Sequence, residues 1–210
     1  MGNRPIAIID SGVGGLSIWQ AISKLLPSED IIYLADQKNF PYGTKNQQAL
    51  LKIMRRNVEF LLKKRVKVVV IACNTATVST LAELRELYAI PIVGTVPVIK
   101  KAVELTKNGR IGVISTLATS KSTYQKNLIA RFASDKKVFE SPQDWLVRRV
   151  ENLKRNSQLI STLNEKLRNL KNQKIDVLVL GCTHFSFLRP HFKKIFGRQV
   201  AVLDSAGAIA

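Results

Sequence analysis

With 210 residues, 46% of them hydrophobic, the chain is long enough for one domain or two small ones and apolar enough to pack a core, which excludes a disordered protein. Its apolar runs fall well short of the roughly 20 residues that span a bilayer, the first residues lack a leader pattern, and Ile6 stands where myristoylation wants Ser or Thr, so no membrane partner and a cytoplasmic, thiol-reducing location are expected. The formal net charge of +18 would suit an acidic partner, but the basic residues are scattered without aromatic interleaving, so nucleic acid is not expected as the main partner.

Ile6-Ala7-Ile8-Ile9 reads as a short strand running into Asp10-Ser11-Gly12-Val13-Gly14-Gly15 and then a helix from Leu16 to Leu26. Glycines at a strand-to-helix turn allow close approach to the backbone and leave N–H groups free for an anion. The spacing is not G-x-G-x-x-G, so a small carboxylate fits as well as a phosphate. A second strand covers Ile31 to Ala35 and ends at Asp36, followed by the loop Asn39-Phe40-Pro41-Tyr42-Gly43-Thr44, which leaves Tyr42 able to reach into a cleft. Gln47 to Lys64 show helical spacing of Leu50, Ile53, Met54, Val58, Leu61 and Leu62. The run Val68-Val69-Val70-Ile71-Ala72 has the pattern of a central parallel strand buried on both faces, and it ends in Cys73-Asn74-Thr75. A helix is expected from about Val78 to Tyr88, then a short strand and crossover from Pro91 to Pro97, and a helix from Val98 to Leu105.

The chain then starts over. Arg110 to Ser115 and the polar turn through Thr116 and Thr119 echo the opening strand. A helix over Ser122–Phe132, a strand over Lys137–Glu140 and a basic helical stretch from Trp145 to Leu170 follow, the last with a break near Asn156-Ser157. Asp176 to Leu180 is the last long apolar strand, with Cys182, Thr183 and His184 just beyond it. Phe185 to Phe196 should be helix with Pro190 in its first turn, and Val200 to Leu203 a final strand ending at Asp204. Two αβ halves of related design are expected, divided near Thr95 to Val98.

The chain has 2 cysteines, each just past an apolar run and each closely followed by a threonine. Metal binding would need more ligands than two Cys and two His at these spacings provide. Nucleophilic catalysis would need one thiol and one base, leaving the other thiol unexplained. Redox exchange lacks a C-x-x-C. A fourth use employs both sulfurs: a carbon acid held between them loses its proton to one and regains a proton from the other, inverting the centre. An unperturbed thiol pKa of about 8.5 is close enough to neutral to be tuned for this. Asp10 and His184 are placed by motif to assist the thiols, with Asp36 and Glu151 as further candidates, and strand-end N–H groups and hydroxyls would hold carboxylates.

Asp10-Ser11-Gly12-Val13-Gly14-Gly15-Leu16-Ser17, Phe40-Pro41-Tyr42-Gly43, Ala72-Cys73-Asn74-Thr75-Ala76 and Gly181-Cys182-Thr183-His184-Phe185 together resemble the cofactor-independent glutamate racemases of the aspartate/glutamate racemase superfamily. The resemblance runs from Ile6 to Ala210 and implies an α/β fold. Two similar αβ domains with mostly parallel sheets, residues 1–96 rejoined by 204–210 and residues 97–203, would be related by pseudo-two-fold symmetry around a shared cleft. It implies interconversion of L- and D-glutamate, with no cofactor and no metal, supplying D-glutamate for peptidoglycan. Carried over by position, Cys73 would be the base toward D-glutamate and Cys182 toward L-glutamate, with Asp10, His184 and Glu151 assisting. Asp10, Ser11, Tyr42, Gly43, Asn74, Thr75, Thr116, Thr119, Thr183 and His184 would bind the substrate. The partner implied is small-molecule glutamate, and a homodimer stays open.

The chain departs from the family in having Glu140-Ser141-Pro142 where Ala-Cys-Pro is usual and Val96-Pro97-Val98 where a glycine is common. Relatives also continue beyond Asp204-Ser205-Ala206 into a helix that returns to the first domain, so exposed apolar surface is expected there. Related alternatives are a racemase of aspartate or a hydantoin, a malonate decarboxylase, and a basic binding protein that keeps the scaffold without turnover.

Overall fold

The computed structural model describes residues 4–152 and 158–209; the break expected near Asn156-Ser157 lies outside the described residues. In chain order the first half comprises β1 (Ile6–Asp10), α1 (Leu16–Leu25), β2 (Ile31–Ala35), α2 (Gln47–Leu62), β3 (Val68–Ile71), α3 (Asn74–Leu87) and β4 (Ile92–Gly94). The second comprises α4 (Ile99–Leu105), β5 (Arg110–Ser115), α5 (Leu117–Lys121), α6 (Thr123–Phe132), β6 (Lys137–Pro142), α7 (Asp144–Glu151), α8 (Leu159–Lys166), α9 (Arg168–Asn172), β7 (Val177–Gly181), α10 (Arg189–Phe196) and β8 (Ala201–Leu203), before α11 (Ala206–Ile209) ends the described chain.

The strands form two four-stranded sheets, ordered β2-β1-β3-β4 and β6-β5-β7-β8. Every strand pair in them is parallel. The two orders are the same once the second set is renumbered from its start, which is the repeat read from the sequence. Parallel pairing explains the composition of the central strands: all five residues of β1 and of β7 are buried, as a sheet covered by helices on both faces requires. On α2 the buried residues are Leu50, Met54, Val58 and Leu61, one stripe against the sheet, and the Asn46 side chain caps the helix by accepting from the Ala49 N–H at 2.8 Å. Helix α4 packs against β7 and α6, while α11 packs against α1. These contacts support the division we propose, at 96/97 with 204–210 returning to the first lobe.

Several boundaries differ from expectation. Helix α3 begins at Asn74, directly after Cys73, and not at Val78. The run Asn74-Thr75-Ala76-Thr77 carries low helix propensity, but Thr77 Oγ1 donates to Ile71 O and holds the first turn against the strand it leaves, at 3.1 Å. Strand β6 extends through Ser141 and Pro142, which pair with Ile114 and Ser115. It lies at the sheet edge, where a proline without an N–H is tolerated. The expected Phe185–Phe196 helix is divided into a 3₁₀ segment, Thr183–Leu188, and α10, with Pro190 in the first turn of α10. Pro190 cannot donate back to the preceding turn, so the two segments do not merge. The basic stretch after Trp145 likewise resolves into α7, α8 and α9. Leu16, Trp19, Leu25 and Leu26, on α1 and at its end, are exposed.

Phe192 is fully buried in the core of the second lobe, whereas Leu25 is 62% exposed. Phe192→Ala should therefore cost about 3–5 kcal/mol in urea unfolding, and Leu25→Ala less than about 0.5 kcal/mol. Equal losses for the two variants would contradict this assignment of the core.

Candidate active site

The site forms beyond the carboxyl ends of the central strands, the usual ligand position in parallel αβ sheets. Strand β1 ends at Asp10, and Cys73 follows β3 as the residue before α3. In the second lobe Thr116 follows β5 and caps α5, and Cys182 follows β7 ahead of the 3₁₀ turn. The two sheets bring these four ends to one cavity of about 140 Å³. At about 10–15 Å³ per water-sized atom this is room for roughly ten, the size of a small amino acid. The first lobe lines it with Ser11, Pro41, Tyr42, Gly43, Thr44, Cys73 and Thr75; the second contributes Thr116, Asp144, Trp145, Val147, Arg148, Cys182 and His184. Both cysteines are free and buried.

Each sulfur has its own ionisable backing. Burial pushes the Cys73 thiol up, the nearby Asp10 charge adds to this, and the N–H groups of Ala76 and Thr75 at the start of α3 oppose it. Asp10 is itself fully buried. Its Oδ1 accepts from the Gly12 N–H at 3.1 Å and its Oδ2 from the Thr183 hydroxyl at 3.0 Å. Burial raises its carboxyl above the ordinary range despite the opposing pull of His184.

Behind Cys182 lies a histidine–carboxylate line. His184 Nδ1 is 3.9 Å from Cys182 Sγ, and His184 Nε2 is 2.7 Å from Glu151 Oε2. Burial alone would lower the imidazolium, but hydrogen bonds to Cys182 and Glu151 and the Asp10 charge overcome it, and His184 is pushed up to about 10. For Glu151, burial favours the neutral acid, yet His184, the Val13 N–H at 3.0 Å and the Gln37 amide together hold it below the usual range.

The contact of Glu151 with Val13 crosses from the second lobe to the first. It also explains the glycine-rich turn. A Cβ on Gly12 would collide with the Glu151 carboxylate, and one on Gly14 with His184 and Thr183. The turn does hold an anion, as expected, but that anion is the protein's own Glu151. A second bridge is the hydroxyl cluster of Thr75, Thr116 and Thr119: Thr75 Oγ1 lies 2.9 Å from Thr116 Oγ1 and 3.3 Å from Thr119 Oγ1.

Of the residues expected at the site, Ser11, Tyr42, Gly43, Cys73, Thr75, Thr116, Cys182 and His184 line the cavity. Thr119 and Glu151 stand behind them, bonded to Thr75 and His184, and Asp10 and Thr183 are hydrogen-bonded to each other. Asn74 donates to Thr95 O at 3.3 Å within its own lobe. The Tyr42 hydroxyl does not project into the cleft: it donates to Asp36 Oδ2 at 2.8 Å and accepts from Asn57 Nδ2 at 3.0 Å. Asp36, a candidate thiol neighbour, is thus engaged with Tyr42, Asn39 and Asn57. Gln37, Asp144, Trp145, Val147 and Arg148 were not singled out from the sequence. The one available signal was the helix start at Asp144, whose spacing to Val147 and Arg148 puts all three on one face. Among the described residues no group of three or more Cys, His, Asp or Glu is arranged to hold a metal ion.

The family model for Asp/Glu/Hydantoin racemase matches residues 6–210. A glutamate racemase of Clostridium novyi is 42% identical over 204 residues, covering 96% of this chain and 79% of the relative. One from Pseudomonas aeruginosa is 41% identical over 207 residues, covering 98% and 78%. Among solved structures, Escherichia coli glutamate racemase, in complex with L-glutamate and activator UDP-MurNAc-ala, superposes with a TM-score of 0.92 at 36% identity, covering 98% of this chain and 79% of that one. Picrophilus torridus aspartate racemase, at 17% identity and a TM-score of 0.69, shares the fold. Matched along its length in sequence and in structure, the chain belongs, alongside the glutamate racemases, to the Asp/Glu/hydantoin racemase family and is an enzyme of the isomerase class.

Proposed function

We propose that this protein interconverts L- and D-glutamate by two-base proton transfer between Cys73 and Cys182, without a cofactor, and that the D-glutamate supplies peptidoglycan. The observation that carries this reading is the pair of thiols, one from each lobe, on the walls of one cavity of amino-acid size. The identity of the relatives as glutamate racemases supports glutamate as the substrate, and the activator UDP-MurNAc-ala in complex with the Escherichia coli relative supports the cell-wall role.

In the forward step one sulfur is a thiolate and the other a thiol. The thiolate takes the α-proton and becomes a thiol, the electron pair stays on the α-carbon, and the opposite thiol delivers its proton to the other face. The two sulfurs have then exchanged states and the stereocentre is inverted. Cys73 takes the proton of D-glutamate and Cys182 that of L-glutamate. His184⁺, fixed by Glu151, stabilises the Cys182 thiolate. Asp10, whose carboxyl burial raises above the ordinary range, backs Cys73 from its own lobe. The α3 N–H groups and the threonine hydroxyls receive the substrate's α-carboxylate.

Circular dichroism of D-glutamate solutions with purified protein and no added cofactor should decay to zero, while D-aspartate should keep its signal. Cys73→Ala and Cys182→Ala should each lower the rate by about 10²–10⁴-fold or more, the usual worth of a positioned acid or base. Near wild-type turnover by either variant would show that one thiol suffices. Because L- and D-glutamate are equally stable, kcat/KM must fall equally in both directions, so the variants are separated by solvent-deuterium exchange. Cys73→Ala should exchange the α-proton of L-glutamate only, and Cys182→Ala that of D-glutamate only.

His184 carries its charge until the pH passes its raised folded value of about 10. Removing the Glu151 charge lowers that value. Glu151→Gln should therefore move the alkaline limb of kcat/KM to lower pH, by about one to three units. An unmoved limb accompanied only by a lower plateau would assign Glu151 to lobe closure alone.

A further inference from the structure

Arg148 lines the cavity, yet among the described residues its guanidinium has neither an ion pair nor a hydrogen bond. It is exposed at the mouth, whereas both sulfurs are buried. Its surroundings are mostly anionic. Asp144 lines the same wall, and Glu151 stands behind His184 and Cys182. The cation at the inner end, His184, is already held by Glu151 and Cys182. A dicarboxylic amino acid carries a net negative charge into this field, and among the described lining residues there is no further cation at the inner end to receive it.

Helix α7 places Asp144 and Arg148 four residues apart on one face, a spacing at which opposite charges ordinarily pair. Here they do not. Asp144 Oδ2 accepts the Leu117 N–H at 2.9 Å, and its Oδ1 lies 3.3 Å from where a Cβ on Gly43 would stand. The Asp144 carboxylate is thus anchored in the wall and the Arg148 fork is left open. A guanidinium presents parallel N–H groups that match a carboxylate in two-point contact.

We infer that Arg148 grips the distal carboxylate of the substrate at the cavity mouth and so selects an acidic side chain. The inference rests on the proposed reaction only for the α-carbon's place between the sulfurs, which puts the far end of the ligand at the exposed end of the cavity.

The test uses the whole chain and its Arg148→Met, Arg148→Lys and Arg149→Met variants, with far-ultraviolet circular dichroism to establish folding. Two quantities are read: KM for D-glutamate, and the calorimetric Kd of glutarate, a dicarboxylate with no α-proton acidified by an amino group. Arg148→Met should raise both by about tenfold or more, the usual loss for one charged hydrogen-bonded pair, with most of the kinetic loss in KM. Arg148→Lys should recover part. Arg149→Met removes the same charge from the neighbouring residue, which does not line the cavity, and should leave both near wild type.

Unchanged KM and Kd in Arg148→Met, or an equal loss in Arg149→Met, overturns the inference while the racemization reading stands. If the wild type binds glutarate through Arg148 but does not racemize glutamate, the reaction is wrong and the carboxylate grip survives. If Arg148→Met does not fold, Arg148→Lys decides, because a wild-type KM and Kd in that variant overturns the two-point grip. A wild type that binds neither molecule overturns both.

Discussion

One carboxylate holds the site together. Glu151, at the end of α7 in the second lobe, accepts from the Val13 N–H of the first lobe and from His184 of its own. The first contact bridges the lobes, beside the Thr75–Thr116 and Thr183–Asp10 bonds; the second, together with Cys182, keeps the imidazole charged. Loss of that carboxylate would leave a buried histidine and a strand-to-helix turn without their shared partner, and buried groups left unpaired are costly. The glycines at 12 and 14 follow from the same constraint, because a side chain at either would occupy the space that Glu151 or His184 fills.

The two thiols are alike in fold and unlike in chemistry. Each follows the buried strand that pairs directly with the first strand of its lobe, β3 beside β1 and β7 beside β5. Yet Cys73 faces a buried carboxyl and Cys182 a histidine–glutamate line. A repeated scaffold supplies symmetric positions, while a reaction on a chiral centre needs one acid and one base at any instant. In the two-thiol reaction we propose, the different backings of the two sulfurs would meet that need. The environments are also linked: Thr183, from the turn after Cys182, donates to Asp10 in the other lobe. The charge state on one side of the cleft is therefore felt on the other.

Much of the fold was legible locally. Continuous apolar runs at Ile6–Ile9, Val68–Ile71 and Val177–Leu180 read as strands, the Val68 run with the pattern of a central strand buried on both faces, and the restart at Arg110 pointed to the repeat. What misled was local chemistry that tertiary contacts overrode. Asn74 to Thr77 look like a loop, yet they are helix because Thr77 is hydrogen-bonded back to β3. Tyr42 does line the cavity, but that its hydroxyl is held by Asp36 was not legible from the loop.

By itself the sequence determined the parallel αβ class, the two-half design and the identity of the strand-end residues, because hydrophobic periodicity and glycine placement act over a few neighbouring positions. It could not decide which strand ends share a cavity, which charges face one another, or that the glycine turn binds the protein's own carboxylate. Those depend on groups separated by up to 173 residues, such as Thr183 and Asp10, meeting within hydrogen-bond distance. Hydrogen bonds and charge coupling act over a few ångströms in space, and only the packing of one lobe against the other brings such residues that close.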